Sequence, residues 1–298
     1  MRRRSDFAAY AAMWIAIGVV RALPRRLALA CGGVLGLMAR AAGLRRRVTA
    51  ENLAIAFPEL DLRRRRELER SVYRHFGRMT VDSLLLGSVG PDAVVPYVDG
   101  GEVLRLLDEA LALGRGVLVL TGHIGNWELA GAYVAARGYP VSAVVKPPSN
   151  PYVAAHAERV RRRLGIETIA MPEARTRVPE ALRENRVVGL VADQGAIRSN
   201  VWSPFFSRPT RTPVGPGLFA ARTGAPVVFG AMIAAPGGRY RLIGEAVTSG
   251  VDSNDIDGAI KRAADDFRAR LERLVRSYPD QYLWSHRLWK HQPPPGGR

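Results

Sequence analysis

The stretch Gly116-Val117-Leu118-Val119-Leu120-Thr121-Gly122-His123-Ile124-Gly125-Asn126-Trp127-Glu128 leads from an apolar run, through a short polar turn, into a helix-like segment that ends near Arg137. A continuous apolar run of this length is typical of a buried strand. Asn126 is a favourable N-cap residue, so we predict that a helix begins at Trp127. Glu128 then lies in the first helical turn, and His123 stays in the loop before it.

The alternation of strand-like and helix-like segments continues along the chain. Predicted strands span 117–120, 141–145, 167–171, 187–192, 227–233 and 239–245, and predicted helices span 127–137, 152–164, 177–184 and 217–222. This rhythm indicates an α/β fold with a mostly parallel central sheet flanked by helices. Ligands of such sheets bind beyond the carboxyl ends of the strands. Because His123, Lys146 and Asp193 each follow a predicted strand, we expect them on one rim.

The pair formed by His123 and Glu128 is the first candidate for catalysis. On a continuous helix the two side chains point about 140° apart and do not meet. With Asn126 as N-cap, Glu128 can fold back and accept a hydrogen bond from one imidazole nitrogen of His123. The other nitrogen is then free to act as a general base. On spacing alone, a histidine beside a capped helix is more often one that makes a structural hydrogen bond than a base.

The charge of the chain is concentrated at its N-terminus. The 298 residues carry a net charge of +17, and residues 1–78 hold seventeen arginines against six acidic residues. A basic region of this kind is typical of binding to nucleic acid or to anionic lipid. The single cysteine, Cys31, excludes an intrachain disulfide and a cysteine-based metal cluster.

Apolar runs between the arginines favour the lipid interpretation. Residues 7–20 and 27–42 are almost uncharged, but each is shorter than the roughly 18–20 residues of a membrane span. We expect residues 1–45 to form membrane-anchoring helices that either cross once or lie at the interface. A secretory signal is an alternative, although no small-x-small cleavage site follows the apolar run. Two amphipathic core helices of a soluble domain are the other alternative.

The rest of the N-terminal half is predicted to be helical, from Thr49 to Ala56 and from Leu62 to Leu86. Tyr282, Trp284 and Trp289 suggest a final helix packed back on the domain. We therefore assign residues 46–290 to one globular domain and residues 291–298 to a disordered tail.

Six segments of the chain together resemble one protein family. They are Glu51-Asn52-Leu53-Ala54-Ile55-Ala56-Phe57-Pro58, Gly122–Glu128, Lys146-Pro147 with Asn150-Pro151, Ala192-Asp193-Gln194, Pro204-Phe205-Phe206 with Thr212, and Asp280-Gln281-Tyr282-Leu283-Trp284-Ser285-His286-Arg287. In this order they resemble the lipid A biosynthesis acyltransferases, which transfer lauroyl or myristoyl chains, and their relatives that acylate phosphatidylinositol mannosides.

The resemblance implies an acyltransferase in which His123 is the base and Glu128 its partner. The implied donor is an acyl-carrier-protein or CoA thioester, and the implied acceptor is a hydroxyl of a membrane glycolipid at the cytoplasmic face of the inner membrane. A lipid A precursor, a phosphatidylinositol mannoside or another lysolipid fits this description. Substrate contacts are expected from Asn126, Lys146, Asp193, Gln194, Arg198 and Arg208. The family usually has arginine where this chain has Lys146, and lysine lacks the bidentate fork.

The resemblance implies direct transfer, because a thioester donor needs no covalent enzyme intermediate. No Gly-x-Ser-x-Gly motif is present, and His123, His156, His286 and His291 do not show metal-ligand spacing. We therefore expect no metal, no cofactor beyond the acyl donor, and a monomer on an anionic membrane surface.

A basic nucleic-acid-binding protein and a non-catalytic lipid-binding protein are the alternatives from other classes. The first lacks a zinc, helix-turn-helix or RNA-binding aromatic signature.

Overall fold

The N-terminal third of the protein consists of helices. The computed structural model describes residues 2–87, 90–195, 199–247 and 255–293. Its first four helices are α1 (Arg2–Arg21), α2 (Arg25–Ala41), α3 (Arg46–Ala56) and α4 (Leu62–Leu86). Asp61 caps α4 by accepting a hydrogen bond from the backbone N–H of Arg64 at 2.8 Å. The predicted helices in residues 49–86 are therefore confirmed.

A sheet forms the centre of the rest of the chain. Its strands are β1 (Val98–Asp99), β2 (Val117–Thr121), β3 (Val141–Val145), β4 (Ile166–Ala170), β5 (Val187–Val191), β8 (Val227–Ala235) and β9 (Arg239–Val247). A separate antiparallel hairpin contains β6 (Asn200–Phe205) and β7 (Arg208–Pro213). Within the described residues the sheet order is β1-β9-β8-β2-β5-β3-β4, and only β8 and β9 pair antiparallel. The prediction of a mostly parallel sheet is confirmed.

Helices cover both faces of this sheet. They are α5 (Val103–Leu111), α6 (Trp127–Ala136), α7 (Pro151–Arg163), α8 (Ala174–Arg183), α9 (Gly215–Thr223) and α10 (Ile256–Ser277). Alternate residues of a strand face opposite sides, so Leu118 and Leu120 pack with α8, α9 and α10, while Val117 packs with α5 and α6. The periodicity of the sequence did not reveal α5, α10 or the β6–β7 hairpin.

The segment after α10 differs from the prediction. Residues 282–293 form turns and irregular backbone, so the predicted final helix over Tyr282, Trp284 and Trp289 is wrong. The physical reason is that this backbone bonds elsewhere: the N–H of Leu283 donates to the carbonyl of His123 at 2.9 Å. Residues 294–298 of the predicted tail lie outside the described residues.

Small residues bring α2 against α4. A Cβ atom added at Gly36 would lie 2.0 Å from the backbone oxygen of Tyr73, and one at Gly77 would lie 2.0 Å from that of Gly32. The Arg25 guanidinium also pairs with the Asp82 carboxylate at 2.9 Å. Helix α2 is thus packed on the body of the protein, and the boundary predicted between residues 45 and 46 stays a prediction.

No helix of the described ranges is by itself long and apolar enough to cross a bilayer; α2 and α3 meet that criterion only together, across a 95° bend.

Candidate active site

The loop between β2 and α6 carries the predicted catalytic histidine. Asn126 ends this loop, and its side-chain oxygen accepts a hydrogen bond from the backbone N–H of Leu129 at 3.1 Å. The side chain of Asn126 is fully buried. The predicted N-cap and the predicted start of α6 at Trp127 are therefore both confirmed.

Backbone hydrogen bonds from distant segments fix the shape of this loop. The N–H of Gly125 donates to the carbonyl of Gln281 at 2.9 Å, and the N–H of Asn126 donates to the carbonyl of Met232 at 2.8 Å. Ile124 forms an isolated antiparallel bridge with Tyr282. The loop therefore lies between the end of β8 and the segment after α10, with little freedom to move.

His123 and Asp193 form a hydrogen-bonded pair at the rim of the sheet. The His123 Nδ1 atom lies 2.6 Å from Asp193 Oδ1, and the backbone N–H of His123 donates to Asp193 Oδ2 at 3.1 Å. Strand pairing explains the contact, because Thr121 of β2 is in register with Val191 of β5 and each partner lies two residues further on. The carboxylate accepts, so Nδ1 carries the proton and Nε2 is left with the lone pair of a base.

The surroundings shift the pKa of both members of the pair. Burial by itself disfavours the imidazolium, but the charge and hydrogen bond of Asp193, with a further contribution from Glu128, leave the pKa of His123 raised. Burial likewise opposes ionisation of Asp193, but His123 and Arg268 hold the pKa of its carboxyl below the usual range. The aspartate is therefore ionised, with a side chain only 1% exposed, whereas that of His123 is 22% exposed.

Arg268 of α10 supports the loop that carries Asp193. Its Nη2 donates to the carbonyl oxygens of Asp193 at 2.8 Å and Arg211 at 2.9 Å, and its Nε donates to Thr212 Oγ1 at 2.8 Å. Complete burial lowers the pKa of this arginine. Arg268 could not be predicted from the sequence, because no motif distinguishes it among the 44 basic residues of the chain.

Glu128 does not make the predicted hydrogen bond to His123. In the described structure its carboxylate bonds Arg161 of α7 through both oxygens, at 2.6 Å to Nη2 and 3.2 Å to Nε. A guanidinium satisfies a carboxylate with two parallel bonds, which an imidazole cannot do. Asp193 takes the place that was predicted for Glu128, while Glu128 acts on His123 through its charge. A catalytic role for Glu128 stays a prediction.

The remaining predicted contacts lie around this rim. Lys146 is exposed after β3, Gln194 is partly buried beside Asp193, and Arg208 is exposed at the start of β7. Arg198 lies outside the described residues. Strand β3 pairs with β5, so the prediction that Lys146 shares the rim with His123 and Asp193 agrees with the sheet order. Roles for these residues in substrate binding stay predictions.

Among the described residues, no group of three or more His, Cys, Asp or Glu side chains has the geometry to hold a metal ion.

Comparison with known proteins places this site in a family. Residues 2–291 match the model of the bacterial lipid A biosynthesis acyltransferases. The phosphatidylinositol mannoside acyltransferase of Mycobacterium tuberculosis (strain ATCC 25618 / H37Rv) is 36% identical over 124 residues, which cover 40% of this chain and 39% of that protein. The enzyme of that name from Mycolicibacterium smegmatis is 28% identical over 200 residues, or 63% of each chain. Both mycobacterial alignments span less than two thirds of those relatives.

A longer alignment is found with an enzyme of Escherichia coli. The lipid A biosynthesis palmitoleoyltransferase of Escherichia coli (strain K12) is 27% identical over 287 residues, which cover 94% of this chain and 91% of that enzyme. A histidine that a carboxylate orients at the rim of an α/β sheet is chemically able to act as a general base. The chain belongs to the bacterial lipid A biosynthesis acyltransferase family.

Proposed function

We propose that this protein transfers a fatty acyl chain from an acyl-carrier-protein or CoA thioester to a hydroxyl of a membrane glycolipid. The observation that carries the proposal is the His123–Asp193 pair, in which the buried carboxylate holds Nδ1 and leaves Nε2 available as a base. Family membership supports acyl transfer as the reaction.

The proposed reaction proceeds without a covalent enzyme intermediate. His123 Nε2 takes the proton from the acceptor hydroxyl as its oxygen bonds to the thioester carbonyl carbon. The raised pKa of His123 favours this proton transfer, and ionised Asp193 stabilises the imidazolium that forms. Backbone N–H groups at the start of α6 are suited to stabilise the oxyanion. Collapse of the tetrahedral intermediate breaks the carbon–sulfur bond, and the imidazolium gives its proton to the departing thiolate.

The names of the relatives support an anionic glycolipid as the acceptor. One group acts on phosphatidylinositol mannosides and the other belongs to lipid A biosynthesis. We propose a lipid A precursor or a phosphatidylinositol mannoside as acceptor, at the cytoplasmic face of the inner membrane.

The test is a mass-spectrometric comparison of membrane glycolipids from cells expressing the wild-type protein and from cells expressing His123→Ala. The wild-type sample is expected to contain a glycolipid heavier by one acyl chain, because His123 supplies the base. The variant is expected to lose this product while keeping its fold, as checked by circular dichroism. A His123→Ala protein that forms the product at the wild-type rate would refute the mechanism.

The proposal includes attachment to the membrane through α1 and α2. Large apolar side chains are exposed on both helices, and Val34 at 58%, Leu35 at 55% and Met38 at 60% form a patch on α2. Phe7, Ile15 and Val19 are also exposed on α1. An exposed apolar patch flanked by arginines is suited to the headgroup–acyl boundary of an anionic bilayer.

Replacing Val34, Leu35 and Met38 together with serine is expected to release most of the protein from sedimented membranes. The three side chains point outwards, so their loss removes apolar area that would enter the bilayer without disturbing the contacts between α2 and α4. Leu113→Ser, at a side chain 54% exposed beyond α5, is the matched control. Equal membrane retention of the triple variant and the control at high salt would contradict attachment through this patch.

A further inference from the structure

A cavity of about 650 Å³ lies between α2, α4 and the turn that joins β8 to β9. The guanidinium-bearing residues Arg26, Arg74, Arg78 and Arg239 contribute to its lining, and Asp280 is the carboxylate among the lining residues. Buried His75 also belongs to the lining. The cavity is therefore concave and carries an excess of positive charge.

None of the four arginines takes part in the ion pairs formed by the described residues, although neighbouring Arg25 pairs with Asp82. Some arginines elsewhere in this protein have a carboxylate partner, as Arg161 has in Glu128 and Arg40 in Glu69, so what distinguishes these four is that they surround one cavity. Four like charges around one concavity repel each other and raise its local potential. An anion that enters the cavity relieves this repulsion.

Guanidinium groups bind phosphate and carboxylate groups well, because they present parallel N–H donors to the oxygens, and phosphate is the group that the headgroup of an anionic membrane lipid commonly supplies. Helix α2 contributes to both features: Arg26 lines the cavity, while Val34, Leu35 and Met38 expose apolar side chains further along that helix. With α2 on the membrane surface, as proposed above, a lipid whose phosphate is held at the cavity can keep its acyl chains in the bilayer.

The cavity also touches the active-site loop. The His75 ring nitrogen Nε2 lies 3.3 Å from the carbonyl oxygen of Gly125. Gln281, another lining residue, accepts the hydrogen bond of the Gly125 N–H. A ligand in the cavity is thus separated from the loop of His123 by one layer of side chains.

We propose that this cavity binds the phosphate of a lipid headgroup. That this lipid is the acceptor of the acyl chain, rather than a neighbouring membrane lipid, rests on the proposed function. The phosphate anchors the lipid on the α2–α4 side of the loop and so restricts which hydroxyls can reach His123.

Binding is measured with the full chain in neutral detergent, using dihexanoyl phosphatidylinositol as the lipid probe. Titration calorimetry is expected to show saturable binding that Arg26→Gln with Arg239→Gln weakens about tenfold. These two are chosen because the Arg74 and Arg78 side chains pack over Gly33 in the α2–α4 contact. Arg66→Gln with Arg70→Gln, at exposed positions of α4 outside the cavity lining, is the matched control.

A second readout uses the imidazole of His75. Burial lowers the pKa of His75 and the charge of Arg78 adds to the shift, whereas the Gly125 carbonyl and the charge of Asp280 oppose it. A phosphate nearby favours the charged ring, so nuclear magnetic resonance titration is expected to show a higher His75 pKa with the lipid probe than with dihexanoylglycerol. The rise is expected to be lost in the Arg26→Gln, Arg239→Gln protein.

The proposed site would be overturned if the Arg26→Gln, Arg239→Gln protein bound the lipid probe with wild-type affinity. It would also be overturned if the Arg66→Gln, Arg70→Gln control lost as much affinity as the cavity variant. Inorganic phosphate or CoA binding as tightly as the lipid probe would overturn its assignment to a lipid. Because these measurements need no turnover, they are independent of the proposed reaction. Acyl transfer without arginine-dependent binding refutes the cavity alone, and arginine-dependent binding without acyl transfer refutes the proposed function alone.

Discussion

Replacing Asp193 with asparagine is expected to lower kcat for acyl transfer by about 10²–10⁴-fold. The amide cannot stabilise the imidazolium, and it can favour the tautomer in which Nε2 carries the proton. Asp193 also raises the pKa of His123, so its loss lowers that pKa. Since the base must be neutral, the acidic limb of the kcat/KM profile is expected to move to lower pH. Rates measured across the pH range with a soluble acyl-CoA donor test both effects.

Glu128→Gln is the matched comparison for this prediction. Glu128 contributes to the raised pKa of His123 through its charge, but its carboxylate hydrogen-bonds Arg161. Its replacement is expected to move the acidic limb in the same direction by a smaller amount, with a smaller loss of kcat. A severe loss in Glu128→Gln together with near-normal turnover in Asp193→Asn would return the role of direct partner to Glu128.

Gly125→Ala is expected to destabilise the protein by about 3–5 kcal/mol, through a strained backbone and a clash in the core. Gly125 has a φ of +62°, and a Cβ atom added there would lie 1.9 Å from the backbone oxygen of Met232. That oxygen belongs to buried β8 and accepts a hydrogen bond from the Asn126 N–H, so it cannot move away without breaking that hydrogen bond. Urea unfolding followed by circular dichroism measures the loss, and turnover is expected to fall with it.

Gly114→Ala separates the clash from the strain. Gly114 has a φ of +67°, with no heavy atom within 4 Å of an added Cβ. Its replacement by alanine is therefore expected to lower the free energy of unfolding by only about 1–2 kcal/mol, which is the cost of a left-handed backbone conformation for a residue with a Cβ atom. Equal destabilisation of the two variants would show that the contact with Met232 contributes nothing.

Local signals in the sequence located much of the site. The apolar run 117–120 and the N-cap Asn126 define the strand–loop–helix unit that presents His123, and both features are confirmed. Lys146 and Asp193 were expected on the same rim because each follows a predicted strand. What could not be predicted was the order of the strands, and with it the adjacency of β2 and β5 that brings Asp193 to His123.

The error concerning Glu128 has a related cause. Glu128 lies only five positions after His123, so proximity in the sequence favoured it as the partner. Arg161 lies 33 residues beyond Glu128, and no local pattern indicates that α7 brings its guanidinium to this carboxylate. The final helix predicted over Tyr282 and Trp284 failed for the same reason, since aromatic content says nothing about the backbone partner of Leu283.

By itself, the sequence determined the class of fold, the loop of His123 and the basic, apolar character of the N-terminal helices. These properties depend on residues that are close together in the chain: strand and helix periodicity, a capping side chain and local charge. The tertiary structure decided which carboxylate orients the imidazole and that buried Arg268 supports the loop of that carboxylate. It also decided that four arginines from α2, α4 and β9, which form no ion pair within the described part of the chain, line one cavity. These contacts join segments that only strand order and helix packing bring together, because a hydrogen bond or charge interaction depends on distance in space.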